Sequence, residues 1–133
     1  MYQFSRAIYR AVAADVQDGQ HGRVLDACER MVERLAEGYR PPRPAKRLFA
    51  DVRPFVSLDA QCRAFRTIQT HLAVMEAYVA RQAAQGLDAF GEPLPCRSTT
   101  RGGQPCRRRP VDTTGYCPSH RHLAAGEVEL AAA

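Results

Sequence analysis

The longest amphipathic stretch of the chain is residues 65–79, which read FRTIQTHLAVMEAYV. Its large apolar residues recur three and four positions apart, and they are Phe65, Ile68, Leu72, Met75 and Val79. That spacing puts them on one face of an α-helix, so we predict the longest helix over about residues 59–85, ended by Gly86. Such a face suits the seam of a helical bundle or contact with a partner helix, including a second copy of the chain. We favour bundle packing.

Shorter helices are predicted before this one. Apolar residues at helical spacing indicate helices over about residues 4–16, 23–37 and 44–53. The segment 40–47 contains three prolines, which remove backbone donors and disfavour helix at the residues before them, so we expect a stiff basic linker there. The predicted fold class is all-α, a small three- to four-helix bundle, and no internal repeat is evident.

The character of the sequence changes after Gly86. Residues 86–95 hold two glycines and two prolines, a composition typical of a domain boundary. We therefore predict a helical domain over residues 1–86, a linker over 87–95, a loop-rich zinc-knuckle module over 96–122 and a tail over 123–133.

The C-terminal module contains the spacing Cys96-x9-Cys106-x10-Cys117-x2-His120. Three thiolates and one imidazole fill the tetrahedral shell of Zn²⁺ and leave no open position. We predict that these four residues bind one structural zinc ion, with His122 a poorer ligand than His120. The alternatives are an iron–sulfur cluster and a disordered arginine-rich tail with incidental cysteines.

The five cysteines also bear on the cell compartment. The chain has no apolar run of membrane-spanning length, and its first residues lack the layout of a signal peptide. We therefore expect a cytoplasmic protein, in which thiols stay reduced. An odd number of cysteines cannot pair completely within one chain. Metal binding is thus favoured over disulfides for the clustered cysteines.

The module has few apolar residues from which to build a core, and Val111 and Tyr116 are the candidates. So short a segment cannot bury enough surface to overcome its conformational entropy. Zinc would supply the difference, because binding of structural zinc contributes about 10–16 kcal/mol to the folding of small modules.

The net charge of +5 is concentrated in residues 96–122, which hold six arginines and a single acid, Asp112. Lys46 is the only lysine of the chain, so a GC-rich bacterial genome would also explain the arginines. The candidates for phosphate contact are Arg97, Arg101, Arg107, Arg108 and Arg109. A zinc-fixed loop would present them as one positive patch, which predicts nucleic-acid binding with a steep salt dependence. A merely solvated surface is the alternative.

The module also resembles a known kind of zinc site. The residues Cys96-x3-Thr100-x2-Gly103-x2-Cys106, followed by Gly115-Tyr116-Cys117-x2-His120, are similar to a short Cys3His zinc-binding module of small uncharacterised bacterial and phage proteins. A similar arrangement occurs in the plant effector-of-transcription repeats, which are associated with DNA binding. The resemblance covers residues 96–120 and implies a structural zinc ion and a regulatory, transcription-associated role. It provides no family for residues 1–86.

Two other function classes compete with nucleic-acid binding. A protein-interaction adaptor would use the 65–79 stripe to bind a partner, with zinc purely structural and the module placed against an acidic protein surface. An enzyme is not expected, because four protein ligands leave no position on zinc for an activated water.

The remaining histidines and cysteines point to structural roles. His71 lies beside the 65–79 stripe, where a histidine that stabilises the fold is expected more often than a catalytic one. Cys28 lies on the stripe of the second helix and Cys62 near the start of the longest one, so both are expected to behave as small hydrophobic residues.

Overall fold

A computed structural model describes residues 1–110, 112 and 114–125. Its α-helices are α1 (Tyr2–Val12), α2 (His21–Ala36), α3 (Pro44–Val52) and α4 (Gln61–Ala84), and residues 122–125 are also helical. Within the described residues, extended backbone pairs only in isolated bridges, so the all-α prediction is confirmed. None of the described helices combines the length and the apolar character that a membrane span requires.

The chain forms two compact units, Met1–Val79 and the residues from Ala80 onward. The first, here called the helical unit, contains α1, α2, α3 and most of α4. The second contains the end of α4 and the cysteine-rich region. The predicted bounds of the domains at residues 86, 95 and 122 remain predictions, and the predicted tail lies outside the described residues from position 126 onward.

The 65–79 stripe lies in the core of the helical unit. Ile68, Leu72 and Met75 are at most 1% exposed, and Phe65 packs with its ring centroid 5.3 Å from that of Phe49. Burying an aliphatic side chain of this size contributes about 1.5–3 kcal/mol, so the stripe stabilises the bundle itself. This burial agrees with bundle packing. Self-association through the stripe would require the bundle to open, and it stays a prediction.

The helical unit consists of two halves, α1 with α2 and α3 with α4, which have a similar order of elements. Helices α1 and α3 each lead into a 3-10 turn, Ala13–Asp15 and Arg53–Phe55, and then into an extended valine, Val16 or Val56. The two valines form an antiparallel bridge, flanked by backbone hydrogen bonds of 2.9 and 3.2 Å. The prediction that the first helix reaches Val16 is therefore wrong, because the backbone there pairs across the unit instead of continuing the helix.

Six buried residues of the first half each have a buried counterpart 40 positions later in the sequence. The pairs are Ile8 with Leu48, Val12 with Val52, Val16 with Val56, Cys28 with Ile68, Val32 with Leu72, and Leu35 with Met75. Most pairs differ in side chain, which explains why the sequence shows no repeat although the structure does.

The segment between α2 and α3 is held by specific backbone geometry. Gly38 has a φ of 88°, and the following N–H, of Tyr39, donates to the carbonyl of Arg34 at 2.9 Å, which closes the end of α2 in a Schellman motif. Arg43 has a φ of 54° and is the only non-glycine residue at positive φ in the described chain. Pro44 begins α3, so the predicted proline linker ends at Arg43.

Candidate metal centre

A short hairpin carries two of the predicted ligands, Cys96 and Cys106, on its two arms. The N–H of Cys96 donates to the carbonyl of Arg108 at 2.9 Å, and the N–H of Cys106 donates to that of Ser98 at 2.9 Å. A turn at residues 100–104 closes the hairpin. Hairpin pairing therefore brings together two cysteines that are distant in sequence.

The other two predicted ligands come from one turn of the chain. Cys117 precedes the 3-10 turn Pro118–His120, in which the N–H of His120 donates to the carbonyl of Cys117 at 2.9 Å. The N–H of Arg97 donates to the carbonyl of Gly115 at 2.9 Å and so attaches this segment to the hairpin. The short Cys-x2-His spacing places both ligands on the same side of the turn.

The four ligand atoms converge on one point. The sulfurs of Cys96, Cys106 and Cys117 and a ring nitrogen of His120 all lie within 4.8 Å of one another. Cys106 Sγ lies 3.9 Å from Cys117 Sγ, and His120 Nδ1 lies 3.5 Å from Cys96 Sγ and 3.4 Å from Cys117 Sγ. The group could hold a metal ion, and the exposed His122 is not part of it.

Only a small core surrounds these ligands in the part of the chain that the structure describes. Tyr116 is 6% exposed and packs with the three buried cysteines, and Ala124 packs against them. Tyr116 is therefore a core residue, as predicted, whereas Val111 lies outside the described residues. So small a cluster agrees with the expectation that this region needs a metal to fold.

The Cys96 sulfur is surrounded by hydrogen-bond donors. Burial raises the pKa of this thiol, but backbone hydrogen bonds from Cys117 and Ser98 and side-chain hydrogen bonds from His120 and Cys117 outweigh burial and lower the pKa to about 6. The Cys117 N–H lies 3.4 Å from the Cys96 sulfur. The thiolate, which is the form that binds metals, is therefore favoured near neutral pH.

The Cys106 thiol shows the opposite effect. A backbone hydrogen bond from Arg108 lowers its pKa, but burial and the neighbouring sulfurs of Cys117 and Cys96 outweigh that bond and raise it. A second thiolate is thus unfavourable beside the first. A cation among the sulfurs removes this repulsion, so the donor set fits a metal ion.

Three side-chain contacts that we did not predict stabilise the segment that follows the hairpin. Asp112 accepts hydrogen bonds from the N–H of Thr114 at 2.9 Å and from the Thr114 hydroxyl, and it pairs with Arg121 at 3.5 Å. These interactions lower the pKa of Asp112, the hydrogen bonds from Thr114 having the largest effect. Arg108 donates to Ser119 Oγ at 2.6 Å. The Asp-x-Thr pattern could have indicated the contact between Asp112 and Thr114, whereas the contacts of Asp112 with Arg121 and of Arg108 with Ser119 depend on tertiary structure.

Both the backbone and the surroundings of position 115 favour glycine. Its φ is 78°, and a Cβ added there would lie 2.5 Å from Cδ of Arg97. The Arg97 side chain therefore lies across the position where any other residue would place its β-carbon. The sequence indicated the need for glycine near the ligands but not this close approach.

The arginines predicted to contact phosphate are all exposed, and they are Arg97, Arg101, Arg107, Arg108 and Arg109. The hairpin spreads them along its length, with Arg101 in the closing turn and the others at the ends of the two arms. The five therefore belong to one hairpin, but Arg101 is separated along it from the rest.

The cysteines and the histidine singled out in the helical unit are not part of this centre. Cys28 is fully buried, and burial together with the charge of Glu29 raises the pKa of its thiol to about 12. Cys62 is exposed, which corrects the expectation that it behaves as a small hydrophobic residue. The ring Nδ1 of His71 lies 2.9 Å from the carbonyl of Thr67, within its own helix, as a structural role requires.

Comparison of the chain with protein-family models, with curated proteins and with solved structures finds no match. The resemblance of residues 96–120 to Cys3His zinc modules therefore rests on those residues alone. What the structure supports is a Cys3His group that could hold a metal ion, without an assigned family.

Proposed function

We propose that this protein is a non-catalytic nucleic-acid-binding protein, transcription-associated in role, whose arginine-bearing hairpin is held by one structural zinc ion. One observation carries the proposal: the hairpin that exposes the arginines also supplies metal ligands. Arg97 directly follows Cys96, and Arg107 directly follows Cys106. Fixing the two sulfurs therefore fixes the backbone from which these guanidinium groups extend.

The spacing of the ligand atoms supports zinc. With Zn–S bonds of about 2.3 Å and Zn–N bonds of about 2.0–2.1 Å, a tetrahedral shell has S–S edges of about 3.8 Å and S–N edges of about 3.6 Å. Three of the six pairs measure 3.9 Å for two sulfurs and 3.5 and 3.4 Å for sulfur and nitrogen, and no pair exceeds 4.8 Å. Such distances suit ligands that share a single ion, rather than ligands spread around an iron–sulfur cluster.

A closed shell supports a structural rather than a catalytic metal. Cys96, Cys106, Cys117 and His120 already supply the four donors that zinc takes in structural sites. Catalytic zinc keeps a position open for water or substrate. The zinc ion would supply folding free energy and hold the loops, while the arginines would bind the partner.

Local charge supports an anionic partner. Asp112, the only acid between residues 96 and 122, is paired with Arg121. No carboxylate of the described residues forms an ion pair with Arg107 or Arg109, and both are exposed. The planar guanidinium fork matches phosphate oxygens, and rigid attachment lowers the entropy lost on binding.

Elemental analysis of the purified protein, together with its absorbance spectrum, tests the metal. We expect one zinc ion per chain and no visible absorbance. Removal of the zinc by a chelator should leave most of the helical circular-dichroism signal, because α1, α2, α3 and most of α4 belong to the other unit. Iron with visible absorbance, or a chain free of metal, would contradict the zinc assignment.

Replacing Arg107 and Arg109 with alanine tests nucleic-acid binding. Arg108 is left in place because its side chain donates to Ser119. The matched control replaces Arg10 and Arg66 with alanine; both are exposed on the helical unit, and their loss removes the same charge. In anisotropy titrations with labelled DNA and RNA, we expect the hairpin variant alone to weaken binding.

The salt dependence gives the second readout of that experiment. Removing one phosphate-binding arginine should reduce the slope of log affinity against log salt by about 0.7–0.9, and removing both should reduce it by about 1.5. The zinc content should stay unchanged. Equal effects of the hairpin and control variants would show that only net charge matters. Binding of polyglutamate as tight as that of nucleic acid would favour the adaptor alternative.

A further inference from the structure

We infer that the helical unit carries a second nucleic-acid-binding surface, centred on Tyr39, that takes a single strand. We call it the Tyr39 surface: Arg34 and Arg47 contact the tyrosine side chain, Arg40 and Arg43 lie in the segment between Tyr39 and α3, and all five residues are exposed. It lies wholly within Met1–Val79 and uses none of the hairpin residues. It therefore adds a site to the proposed function, and it does not depend on zinc.

The charge of this surface is predominantly positive. Residues 34–47, which carry it, contain five basic residues and one acid, Glu37. Within the part of the chain that the structure describes, no carboxylate pairs with any arginine of the surface. A compact group of unpaired arginines attracts a polyanion, and each phosphate that it neutralises releases counterions.

An exposed aromatic ring lies among these arginines. The Tyr39 side chain is 49% exposed. The Arg34 guanidinium carbon lies 5.9 Å from the centroid of the ring, and Arg47 Nη1 donates to the Tyr39 hydroxyl at 3.3 Å. An open ring surrounded by guanidinium groups is the combination that binds single strands, in which bases stack on the aromatic face while cations hold the phosphates.

The backbone of the surface is ordered before any ligand binds. The Schellman motif at Gly38 places Tyr39, and Arg40 Nη1 donates to the carbonyl of Leu35 at 2.7 Å. The prolines at positions 41 and 42 restrict the chain that follows. Little conformational entropy is therefore lost when a strand binds.

The ring distinguishes a single strand from a duplex. Phosphate contacts alone hold both forms, but a base can stack on Tyr39 only when its own face is free. An acidic protein surface would use the arginines and would gain little from the ring. The Tyr39 surface is thus best matched to single-stranded DNA or RNA.

The test replaces Tyr39 with leucine in the full-length, zinc-loaded protein. The matched control is Tyr2→Leu, because Tyr2 is also exposed, at 61%, with the Arg6 guanidinium 4.9 Å from its ring centroid. Base stacking on an aromatic side chain corresponds to at least about a fivefold change in affinity. We expect Tyr39→Leu to weaken binding of a labelled oligothymidylate by about that factor or more, and Tyr2→Leu to have no effect.

A second variant, Arg43→Gly, tests the charge without endangering the fold. Glycine adopts the left-handed conformation that Arg43 holds, so the backbone is retained while one cation is removed. We expect the salt slope for oligothymidylate to fall by about 0.7, the value for one phosphate of a single strand. Unchanged affinity in Tyr39→Leu, or an unchanged slope in Arg43→Gly, overturns the inference.

Competitors separate the possible partners. A DNA duplex of the same length should compete less well than the single strand, and polyglutamate should compete less well than either. Polyglutamate binding that depends on Tyr39 would assign the surface to a protein partner and refute our inference. All titrations are repeated in the Arg107→Ala/Arg109→Ala protein, where the weaker binding caused by Tyr39→Leu should persist. The proposed binding sites at the Tyr39 surface and at the hairpin are therefore tested independently.

Discussion

Substitution of Gly115 by alanine gives the sharpest prediction, because two separate costs can be assigned to it. The first is the positive φ of 78°, which an alanine adopts only with strain of about 1–2 kcal/mol. Alanine also reduces the conformational entropy of the unfolded chain, which offsets about 0.4–1 kcal/mol of that strain. The net conformational cost is about 1 kcal/mol.

The second cost of Gly115→Ala is steric. The new Cβ would lie 2.5 Å from Cδ and 3.1 Å from Cγ of Arg97, so the arginine side chain must move away. Because Arg97 is exposed and its side chain can rotate, this cost lies at the lower end of the overpacking range, at about 1 kcal/mol. We expect a total of about 2 kcal/mol, which corresponds to about a thirtyfold loss of zinc affinity if folding and metal binding are linked.

Two neighbouring glycines supply controls. Gly103 has a φ of 75° but open space around its Cβ position, so Gly103→Ala carries the conformational cost alone, about a fivefold loss of affinity. Gly102 has no positive φ, and its Cβ would meet only Thr100 Oγ1 at 4.0 Å, so Gly102→Ala should change little.

The assay is competition for zinc against a chromophoric chelator. The double variant Gly115→Ala/Arg97→Ala removes the atoms with which the new Cβ collides, so its affinity should return to that of Gly103→Ala. A Gly115→Ala protein that binds zinc as well as Gly103→Ala, or a double variant without recovery, would refute the steric part of this reasoning.

Three further predictions concern other parts of the chain. In the zinc-loaded protein, a thiol reagent should modify Cys62 and leave Cys28 untouched even at about pH 9. Cys62 is exposed, whereas burial raises the pKa of the Cys28 thiol to about 12. Mass spectrometry after digestion shows which of the two cysteines is modified. Because the pKa of Asp112 is depressed in the folded protein, this carboxylate stabilises the fold above the ordinary carboxyl pKa, and the effect disappears as the pH falls through the folded pKa. Thr114→Val should raise the pKa of Asp112, which NMR titration measures. An unchanged pKa would refute the role of Thr114. Arg43→Gly should stabilise the helical unit by about 0.5–1 kcal/mol by relieving the left-handed backbone, and a lower melting temperature would contradict this expectation.

Much of the fold and of the metal centre could be predicted from local pattern. The three-and-four spacing of Ile68, Leu72 and Met75 correctly predicted a buried helical face, because helix periodicity is a property of the chain itself. The cysteine and histidine spacing correctly predicted which side chains converge, because few arrangements of three thiols and an imidazole serve any purpose but metal binding.

The predictions failed where the structure depends on contacts between residues that are far apart in the sequence. Val16 continues the apolar spacing of the first helix, but it pairs with Val56, and no local signal announces a bridge between residues so far apart. Cys62 lies near the start of an apolar stripe, and only the packing of α4 shows that it faces outward. The repeated plan of the helical unit was concealed for the same reason, since burial, and not side-chain identity, is what its halves share.

From the amino-acid sequence alone one can infer that the chain is helical for most of its length and that a Cys3His group follows, and one can read that its basic residues are arginines, apart from Lys46. These properties depend on residue type and spacing, which can be read without coordinates. The three-dimensional structure was needed to show that a hairpin brings Cys96 near Cys106, that the Arg97 side chain occupies the position of a Cβ at residue 115, and that Tyr39 contacts two arginines. These features depend on interactions between residues that are separated along the chain, whose formation is set by the packing of the whole unit rather than by local preference.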